Sequence, residues 1–359
     1  MIDYKLHIPG PVNVSEGAYN ALTTPVMGHR SPDFVDLYQK CQPLLQELFM
    51  TEDPVFLSTS SAWGVMEGAV RNLSEKKVLC CMCGAFSDKW LDVAKRSGKE
   101  ADPYSVEWGS HIDPVELDQK LSSGEYDLVT LVHNETSCGM MNPLEEIMRV
   151  LAKYPDVLSV IDTVSSFSVV PIPKDKWGID VILTGSQKAL ALPPGLALFS
   201  VSQRAFDRAK TIDGRGYYFD FIEFLKNHEK GMTPSTPVIP LIHGLLYTLE
   251  KIFEEGIGQR HDRHEKLNQI VHHWVGKNGF ELLPEKQFAS KSLTCVKNNL
   301  NMDVANFVKT LRVEKKLSID GGYGKIKGQT FRISNMGNES PDSIEYLLNQ
   351  MDEILPRFI

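Results

Sequence analysis

The segment DVILTGSQKALALPPG, residues 180–195, places a lysine, Lys188, between two apolar stretches. Residues 181–183 form a short apolar run typical of a buried strand, and residues 189–198 are nearly all apolar. A buried ammonium group is unfavourable unless it is paired or neutralised. The explanation for Lys188 has to come from the residues that surround it in the fold.

Short β-rich runs alternate with helical patterns on both sides of this segment. The pattern predicts strands over residues 78–83, 127–135, 157–163, 180–185 and 196–202, with helices over 87–97 and 144–153 and another from about Trp63. Near-continuous apolar strands that alternate with helices indicate an α/β protein whose parallel or mixed sheet is covered on both faces. Ligands of such sheets bind beyond the carboxyl ends of the strands.

The later part of the chain differs in composition and in the order of its predicted helices and strands. Residues 211–240 are rich in Gly, Pro and aromatic residues, and a helix is predicted over 241–255. A helix over 261–276, strands near 293–296 and 330–334 and a helix over 341–354 follow. We therefore predict an N-terminal arm (1–15), a large domain (16–240), and a linking helix with a small C-terminal α+β domain (241–359).

Composition and charge limit the classes of partner. The 359 residues carry a formal charge of −8, which disfavours nucleic acid or an anionic membrane as the main partner. No apolar run reaches about 18 residues, so no membrane span is predicted. The first residues lack a signal-peptide pattern, and a cytoplasmic location is expected.

Six cysteines occur, three of them in VLCCMCG (78–84). No second group of Cys or His residues lies at a spacing suited to a metal, so we predict free thiols in a reduced protein and no metal site.

Polar residues follow three of the predicted strands, and their types suit one cofactor. Asp162 comes just past the apolar residues of one predicted strand, Lys188 follows a second strand, and Thr136 and Ser137 follow a third. A hydroxyl-rich turn before Trp63 could seat a phosphate. A lysine forms a Schiff base with the aldehyde of pyridoxal 5′-phosphate, and a carboxylate keeps the pyridine nitrogen protonated. We therefore hypothesise that Lys188 is buried because it is covalently occupied.

Eight motifs, together spanning nearly the whole chain, point to one family. They are IPGP (8–11), GHRSPDF (28–34), the turn before MEGAVRN (66–72), HNETSCG (133–139), VIDTVSS (160–166), TGSQKALALPPG (184–195), TPSTP (233–237) and GGYGKIKGQTFRISNMG (321–337). With them the chain resembles the class V aminotransferases of the alanine–glyoxylate and serine–pyruvate group. The resemblance implies the fold type I architecture of pyridoxal phosphate enzymes, with a mixed, mostly parallel seven-stranded sheet.

The resemblance also implies roles for residues around the cofactor. Lys188 would be the Schiff-base lysine and proton shuttle, Asp162 would pair with the pyridine nitrogen, and Thr136 would hydrogen-bond the phenolic oxygen or a nearby group. Phe86 would stack on the ring. The residues expected to line the phosphate are Ser61, Ala62, Trp63 and Gln187.

Further implied roles concern the substrate and a partner subunit. Arg332 would bind the substrate carboxylate, a task that suits a bidentate guanidinium. Thr233 and Thr236 would reach the phosphate of the neighbouring subunit, which implies a homodimer whose active sites the partner completes. Each role has a structural alternative. Lys188 could be a surface lysine, Asp162 a turn or helix-cap aspartate, and Phe86 a core residue. Arg332 could form a structural ion pair, and Thr233 and Thr236 could shape a Pro-rich turn.

Three positions depart from the family pattern. Trp63 stands where a smaller or more polar residue is expected, Asn335 in RISNMG replaces a histidine, and Cys138 replaces a threonine. We interpret Cys138 as a packing residue, since a reactive thiol needs an exposed, electropositive setting.

The predicted function is ping-pong transamination from alanine or serine to glyoxylate or pyruvate, with amino and 2-oxo acids as substrates. Aspartate, 2-aminoethylphosphonate, ureidoglycine and pyridoxamine remain alternative donors, and Arg30 is a candidate second arginine for a dicarboxylate. A pyridoxal phosphate lyase or desulfurase is a further alternative, although a desulfurase would place a histidine, not Gln187, before the lysine. A non-catalytic binding protein is disfavoured by the intact set of Lys188, Asp162 and Arg332.

Overall fold

The computed structural model describes residues 4–359, so the first three residues of the predicted arm lie outside the described part. The strands are β1 Lys5–Leu6, β2 Val55–Ser58, β3 Val78–Met82, β4 Ala101–Ser105, β5 Leu128–Val132, β6 Asn134–Glu135, β7 Met140–Met141, β8 Leu158–Asp162, β9 Val181–Gly185, β10 Ala197–Val201, β11 Glu281–Leu282, β12 Leu293–Lys297, β13 Leu317–Ser318 and β14 Thr330–Ser334.

The α-helices are α1 Glu16–Leu22, α2 Pro32–Phe49, α3 Ala62–Leu73, α4 Ala85–Arg96, α5 Pro114–Leu121, α6 Leu144–Leu151, α7 Lys174–Trp177, α8 Gln203–Thr211, α9 Phe221–His228, α10 Ile239–Glu255, α11 Ile257–Lys277, α12 Val304–Glu314 and α13 Pro341–Ile354. Short 3₁₀ turns lie at Lys286–Phe288, Gly324–Ile326 and Leu355–Arg357. None of these helices combines the length and the apolar character needed to cross a membrane.

Seven strands form the central sheet in the order β2-β10-β9-β8-β5-β3-β4. Strand β10 runs antiparallel to both neighbours, and the other pairs within the sheet are parallel. The predicted mixed, mostly parallel seven-stranded sheet of an α/β protein is therefore confirmed. The sequence pattern did not predict β2 and β4, because β2 is short and β4, at the sheet edge, contains a proline.

The central strands are apolar because they are buried on both faces. Every residue of β5, β8 and β9 is buried. One face packs against α2, α5, α6 and α10, and the other against α3, α4, α8 and α9. This double cover explains why these strands do not alternate between apolar and polar residues.

The register of the sheet aligns the ends of β5, β8 and β9. Val132 pairs with Asp162, and Asp162 pairs with Leu183. The backbone continues this pairing past the strands, since His133 N donates to Asp162 O (2.9 Å) and Thr163 N donates to Leu183 O (2.9 Å). Polar residues that follow the three strands therefore meet at one edge.

A smaller antiparallel sheet, β11-β12-β14, packs with α11, α12 and α13 around its own apolar cluster. Strand β1 pairs in parallel with β13, so the N-terminal segment is attached to this C-terminal part. Helix α10 packs against α1 and α2, and its buried side chains join the core beneath the central sheet. The boundary placed at residue 240 stays a prediction.

Candidate active site

A cavity of about 300 Å³ lies where the carboxyl ends of β5, β8 and β9 meet. The predicted site residues that line it are Ser61, Ala62, Trp63, Phe86, Thr136, Asp162, Gln187 and Lys188. The structure therefore brings together eight residues from five separate segments of the sequence. Asp162 and Lys188 are the charged side chains among the described residues of its wall.

Lys188 is buried and, in the described chain, forms no ion pair. Its Nζ contacts the backbone carbonyl of Pro9. Burial lowers the pKa of Lys188 to about 8; the positive charge of Arg332 also lowers it, and the carboxylates of Asp162, Glu135 and Asp320 raise it. An amine whose pKa lies near neutrality is available as a nucleophile and as a proton carrier.

The N-terminal segment lies directly on this lysine. Gly10 has a φ of +105°, and a Cβ at this position would stand 2.6 Å from Lys188 Cδ and 2.7 Å from Nζ. Only glycine combines this backbone conformation with so close an approach. Residues 8–11 contribute to the family resemblance, and Gly10 and Pro11 line the cavity, a position that was not predicted from the sequence.

Asp162 ends β8 and is 4% exposed. Within the described chain its carboxylate accepts one hydrogen bond, from Val164 N (2.8 Å to Oδ1). Burial raises the pKa of Asp162 to about 7; the Val164 N–H lowers it, Glu135 raises it, and Lys188 lowers it. A buried carboxylate with so few partners is well suited to bind a cationic group.

Helix α3 points its N-terminus at the cavity. Ser61 is the N-cap residue in an extended conformation, and its side chain makes no capping hydrogen bond. The first N–H groups of a helix have no acceptor one turn earlier, so this end favours an anion such as phosphate. Trp63 packs beside Trp90, with ring centroids 6.2 Å apart, and its side chain forms part of the cavity wall.

Phe86 is held in the wall by the first turn of α4. The buried carboxylate of Glu135 accepts hydrogen bonds from Phe86 N (3.3 Å), Ser87 N (2.8 Å) and Ser137 Oγ (2.6 Å). The Phe86 ring stacks on Tyr323 with centroids 5.2 Å apart. Glu135 was not predicted as a site residue, although its place in HNETSCG, directly after the buried strand β5, was a usable signal.

Thr136 and Arg332 are directly connected. Thr136 Oγ1 and Ser165 Oγ are 2.5 Å apart, and the Thr136 carbonyl accepts a hydrogen bond from Arg332 Nη1 (2.7 Å). Arg332 is 3% exposed and lies behind the lining rather than in it. Its Nε and Nη2 both contact Asp320 Oδ1, at 2.9 and 2.7 Å.

Thr233 and Thr236 lie outside the cavity of the single chain. Thr233 Oγ1 donates to Ser235 O (2.8 Å), and Thr236 is exposed. Arg30 donates to the carbonyls of Thr233 (2.9 Å) and Pro234 (3.0 Å) instead of entering the cavity. The predicted reach of these threonines into a partner subunit stays a prediction.

Asn335 is not among the residues of the cavity lining. Its amide nitrogen donates to the carbonyls of His264 (3.2 Å) and Lys291 (2.9 Å), and the residue is fully buried. This position, where the family commonly has a histidine, therefore supports backbone segments in this chain.

The residues of the cavity fit pyridoxal phosphate. Lys188 could take the aldehyde, Asp162 the protonated ring nitrogen, Phe86 a ring face and the N-terminus of α3 the phosphate. The side-chain amide of Asn134 lines the same cavity and has no hydrogen-bond partner, as expected where a polar ligand supplies one.

A comparison with known families agrees with this geometry. The family described as aminotransferase class V matches residues 16–324. The chain is a class V aminotransferase. The predicted resemblance and enzyme class are thereby confirmed.

Named relatives of this aminotransferase differ in their amino donor. A serine–glyoxylate aminotransferase of Methylorubrum extorquens is 31% identical over 347 residues, covering 93% of this chain and 86% of that one. An L-aspartate–glyoxylate aminotransferase of Paracoccus denitrificans is 31% identical over 343 residues, with 93% and 86% covered. The solved structure of an alanine–glyoxylate aminotransferase from Nostoc sp. superposes with a TM-score of 0.94 at 28% identity, covering 99% of this chain and 96% of that one.

Proposed function

We propose that this class V aminotransferase uses pyridoxal 5′-phosphate bound to Lys188 to transfer an amino group from alanine or serine to glyoxylate or pyruvate. The observation that carries the proposal is the cavity at the ends of β5, β8 and β9. It joins a buried lysine without a carboxylate partner to an almost unpartnered buried aspartate.

The protein's own residues divide the work of the reaction. When bound, the cofactor supplies an electron sink for the negative charge that develops on the substrate α-carbon. Asp162 would hold the proton on the ring nitrogen. Lys188 Nζ would take the proton from the α-carbon as a base and return it as an acid. Arg332 would fix the substrate carboxylate and so orient the α-carbon toward Lys188.

The proposed order is ping-pong, because one carboxylate-binding arginine serves donor and acceptor in turn. The donor would leave as an oxo acid before the acceptor enters and takes up the amino group. Arg332 is the one arginine of the described chain that the predicted site assigns to this task, so two substrate carboxylates would compete for it.

The lining of the cavity favours a small, neutral donor. Its volume is limited, and the described lining has no charged side chain besides Asp162 and Lys188. Arg332, behind the lining, is assigned to the α-carboxylate, so no further cation is placed for a second carboxylate or a phosphonate. Arg30, the candidate second arginine, is engaged by two backbone carbonyls elsewhere. Aspartate and 2-aminoethylphosphonate are therefore weaker candidates than alanine and serine.

The desulfurase alternative requires a mobile, reactive cysteine. All six cysteines of the chain are free and buried. Burial raises the pKa of Cys138, the cysteine of the HNETSCG motif, well above its usual value. A buried thiol held in its protonated form is a poor nucleophile. Transamination is therefore the reaction that we favour.

The proposal includes a homodimer in a reducing, cytoplasmic setting. Tyr217 and Tyr218, which lie near the TPSTP loop, are 72% and 43% exposed, as expected of a surface that a second subunit could cover. The six free thiols are compatible with a reducing compartment.

The first test is the visible absorbance of the protein reconstituted with pyridoxal phosphate. Alanine and serine should each bleach the band of the lysine-bound cofactor, and glyoxylate or pyruvate should restore it. The Lys188→Ala variant is the control and should give no such band. No band in the wild type would overturn the proposal, whereas bleaching with release of ammonia or sulfide would favour a lyase.

Complementation tests whether Thr233 and Thr236 complete the partner's site. A Thr233→Ala/Thr236→Ala variant and a Lys188→Ala variant would be weakened or inactive alone. In a mixed dimer, one site would combine Lys188 of the Thr233→Ala/Thr236→Ala chain with the intact threonines of the Lys188→Ala chain. Activity should therefore reappear after subunit exchange. Activity no higher than the sum of the separate variants would contradict a shared site.

A further inference from the structure

Asp320 holds Arg332 in a fixed orientation. Asp320 Oδ1 accepts hydrogen bonds from Arg332 Nε (2.9 Å) and from Gly322 N (2.8 Å), and it lies 2.7 Å from Arg332 Nη2. The two backbones are also paired, with Arg332 N donating to Asp320 O (2.7 Å) and Asp320 N donating to Arg332 O (3.1 Å). The guanidinium is therefore positioned before any substrate arrives.

The remaining donors of Arg332 suit one carboxylate. A guanidinium has five N–H groups. Asp320 takes those of Nε and one of Nη2, and the Thr136 carbonyl takes one of Nη1. One N–H on each terminal nitrogen is left, which matches the two oxygens of a single carboxylate.

The surroundings of Arg332 disfavour a second carboxylate. Asp320 places a negative charge beside the guanidinium, and the side chain of Asp320 is 29% exposed. Tyr323 lies against the guanidinium of Arg332, with its ring centroid 5.5 Å from Arg332 Cζ, and it also stacks on Phe86. Lys89, 5.4 Å from the Phe86 ring centroid, is exposed, so water and salt screen its charge.

We propose that Asp320 is a positioning and specificity-determining residue that makes this aminotransferase select monocarboxylate amino acids over dicarboxylate donors. Asp320 aligns Arg332 for one carboxylate and repels a second one on the substrate side chain. This inference rests on the proposed function, in which Arg332 binds the substrate carboxylate. It addresses the donor, the property in which the named relatives differ.

The test compares wild type with Asp320→Asn as holoenzymes. Asparagine keeps an oxygen that can accept from Arg332 Nε and Gly322 N, but it removes the negative charge. The ratio of kcat/KM for aspartate to kcat/KM for alanine should rise about tenfold, as expected for one like-charge repulsion in a partly exposed site. The change should lie mainly in KM, and it should shrink at high salt.

A matched control removes a similar charge elsewhere. Glu314 is 49% exposed and pairs with Arg357 on the surface, so Glu314→Gln should leave the ratio unchanged. Asp320→Ser is a second variant for the case in which Asp320→Asn does not fold. It also removes the carboxylate and should shift the ratio in the same direction.

Ligand binding separates this inference from the proposed function. Calorimetric titration of each holoenzyme with propionate and succinate measures selectivity without catalysis. Wild type should bind propionate in preference to succinate, and Asp320→Asn should lose about tenfold of that preference. An unchanged preference, or a wild type that favours succinate, would overturn the role of Asp320. Absence of transamination with intact selectivity would instead count against the proposed function alone.

Discussion

Two buried lysines lie at opposite edges of the central sheet, and they differ in their partners. Lys174, 1% exposed, lies at the amino edge beside a cavity of about 520 Å³. It pairs with Asp53 and lies 3.3 Å from both Asp175 Oδ1 and Thr51 Oγ1. Lys188, 8% exposed, lies at the carboxyl edge and contacts the Pro9 carbonyl.

Depth of burial alone therefore does not distinguish the lysine that we propose to react with the cofactor. Lys174 is the more buried of the two, and its cavity is the larger, yet neighbouring acids balance its charge. An ammonium group that is paired with carboxylates keeps its proton and is therefore a poor nucleophile. Burial lowers the pKa of Lys188 to about 8, and within the described chain no carboxylate pairs with the amine, so it is available to a cofactor.

The largest expected effect comes from Lys188→Ala. Transaminase activity should fall by at least about 10⁴-fold, because the variant would lose both the proposed covalent attachment and the proposed proton carrier. The stability of the cofactor-free protein should change little, since lost packing is offset by removal of an unpaired amine. Turnover of alanine with glyoxylate and urea unfolding measure the two quantities. A residual activity above about 1% would mean that Lys188 is not the reacting amine.

The second prediction concerns Asp162 and pH in the cofactor-free protein. Its pKa is raised from 3.8 in the unfolded chain to about 7 in the folded one. Between these values the folded state holds a proton that the unfolded state has lost, so stability falls as pH rises from about 4 to about 7. The loss, complete above pH 7, amounts to about 4 kcal/mol.

The Asp162→Asn variant isolates this contribution. Unfolding free energies of wild type and variant should agree near pH 4, and the variant should become the more stable of the two toward pH 8. Parallel pH profiles would show that Asp162 is ionised in the folded protein at all these pH values. Pyridoxal phosphate should stabilise wild type more than the variant at pH 8, because the proposed pairing with its ring nitrogen requires the carboxylate.

The site residues at the strand ends could be predicted from the sequence, but the contacts made by distant segments could not. Asp162, Thr136 and Lys188 were predictable because apolar runs mark β5, β8 and β9, and parallel strands bring their carboxyl ends together. Gly10 approaches Lys188 through a pairing of β1 with β13, near the other end of the chain. No local periodicity reports a contact between residues so far apart.

The pairing of Asp320 with Arg332 shows a second limit. Arg332 lies in the motif of residues 321–337 and was assigned from the resemblance, whereas Asp320 directly precedes that motif. The aspartate was not assigned, because its role depends on the turn that folds residues 320 and 332 against each other. Residue roles near the cofactor likewise came from the resemblance, whereas the sheet itself followed from the apolar pattern.

The third prediction concerns Lys174, the lysine whose charge is balanced by neighbouring carboxylates. Lys174→Met leaves Asp53 and Asp175 without their cation and should lower the free energy of unfolding by about 2 kcal/mol, below the value for a fully buried pair because both acids are partly exposed. Activity should be retained in the folded enzyme. Lys176→Met, an exposed position on the same helix, is the control and should have little effect on either quantity. A large loss of turnover without a loss of stability in Lys174→Met would assign Lys174 to the reaction.

The smallest expected effect concerns Arg30, a third cation whose partners are carbonyls. Its guanidinium donates to Thr233 O and Pro234 O, a geometry that the single ammonium of lysine cannot reproduce. Arg30→Lys should therefore lower the free energy of unfolding by about 1 kcal/mol, the usual contribution of such hydrogen bonds. Urea unfolding measures that change, and steady-state kinetics should give an unaltered ratio of alanine to aspartate turnover. A selective loss of aspartate turnover would make Arg30 the second arginine of a dicarboxylate site, and it would transfer donor selection from Asp320 to the TPSTP loop.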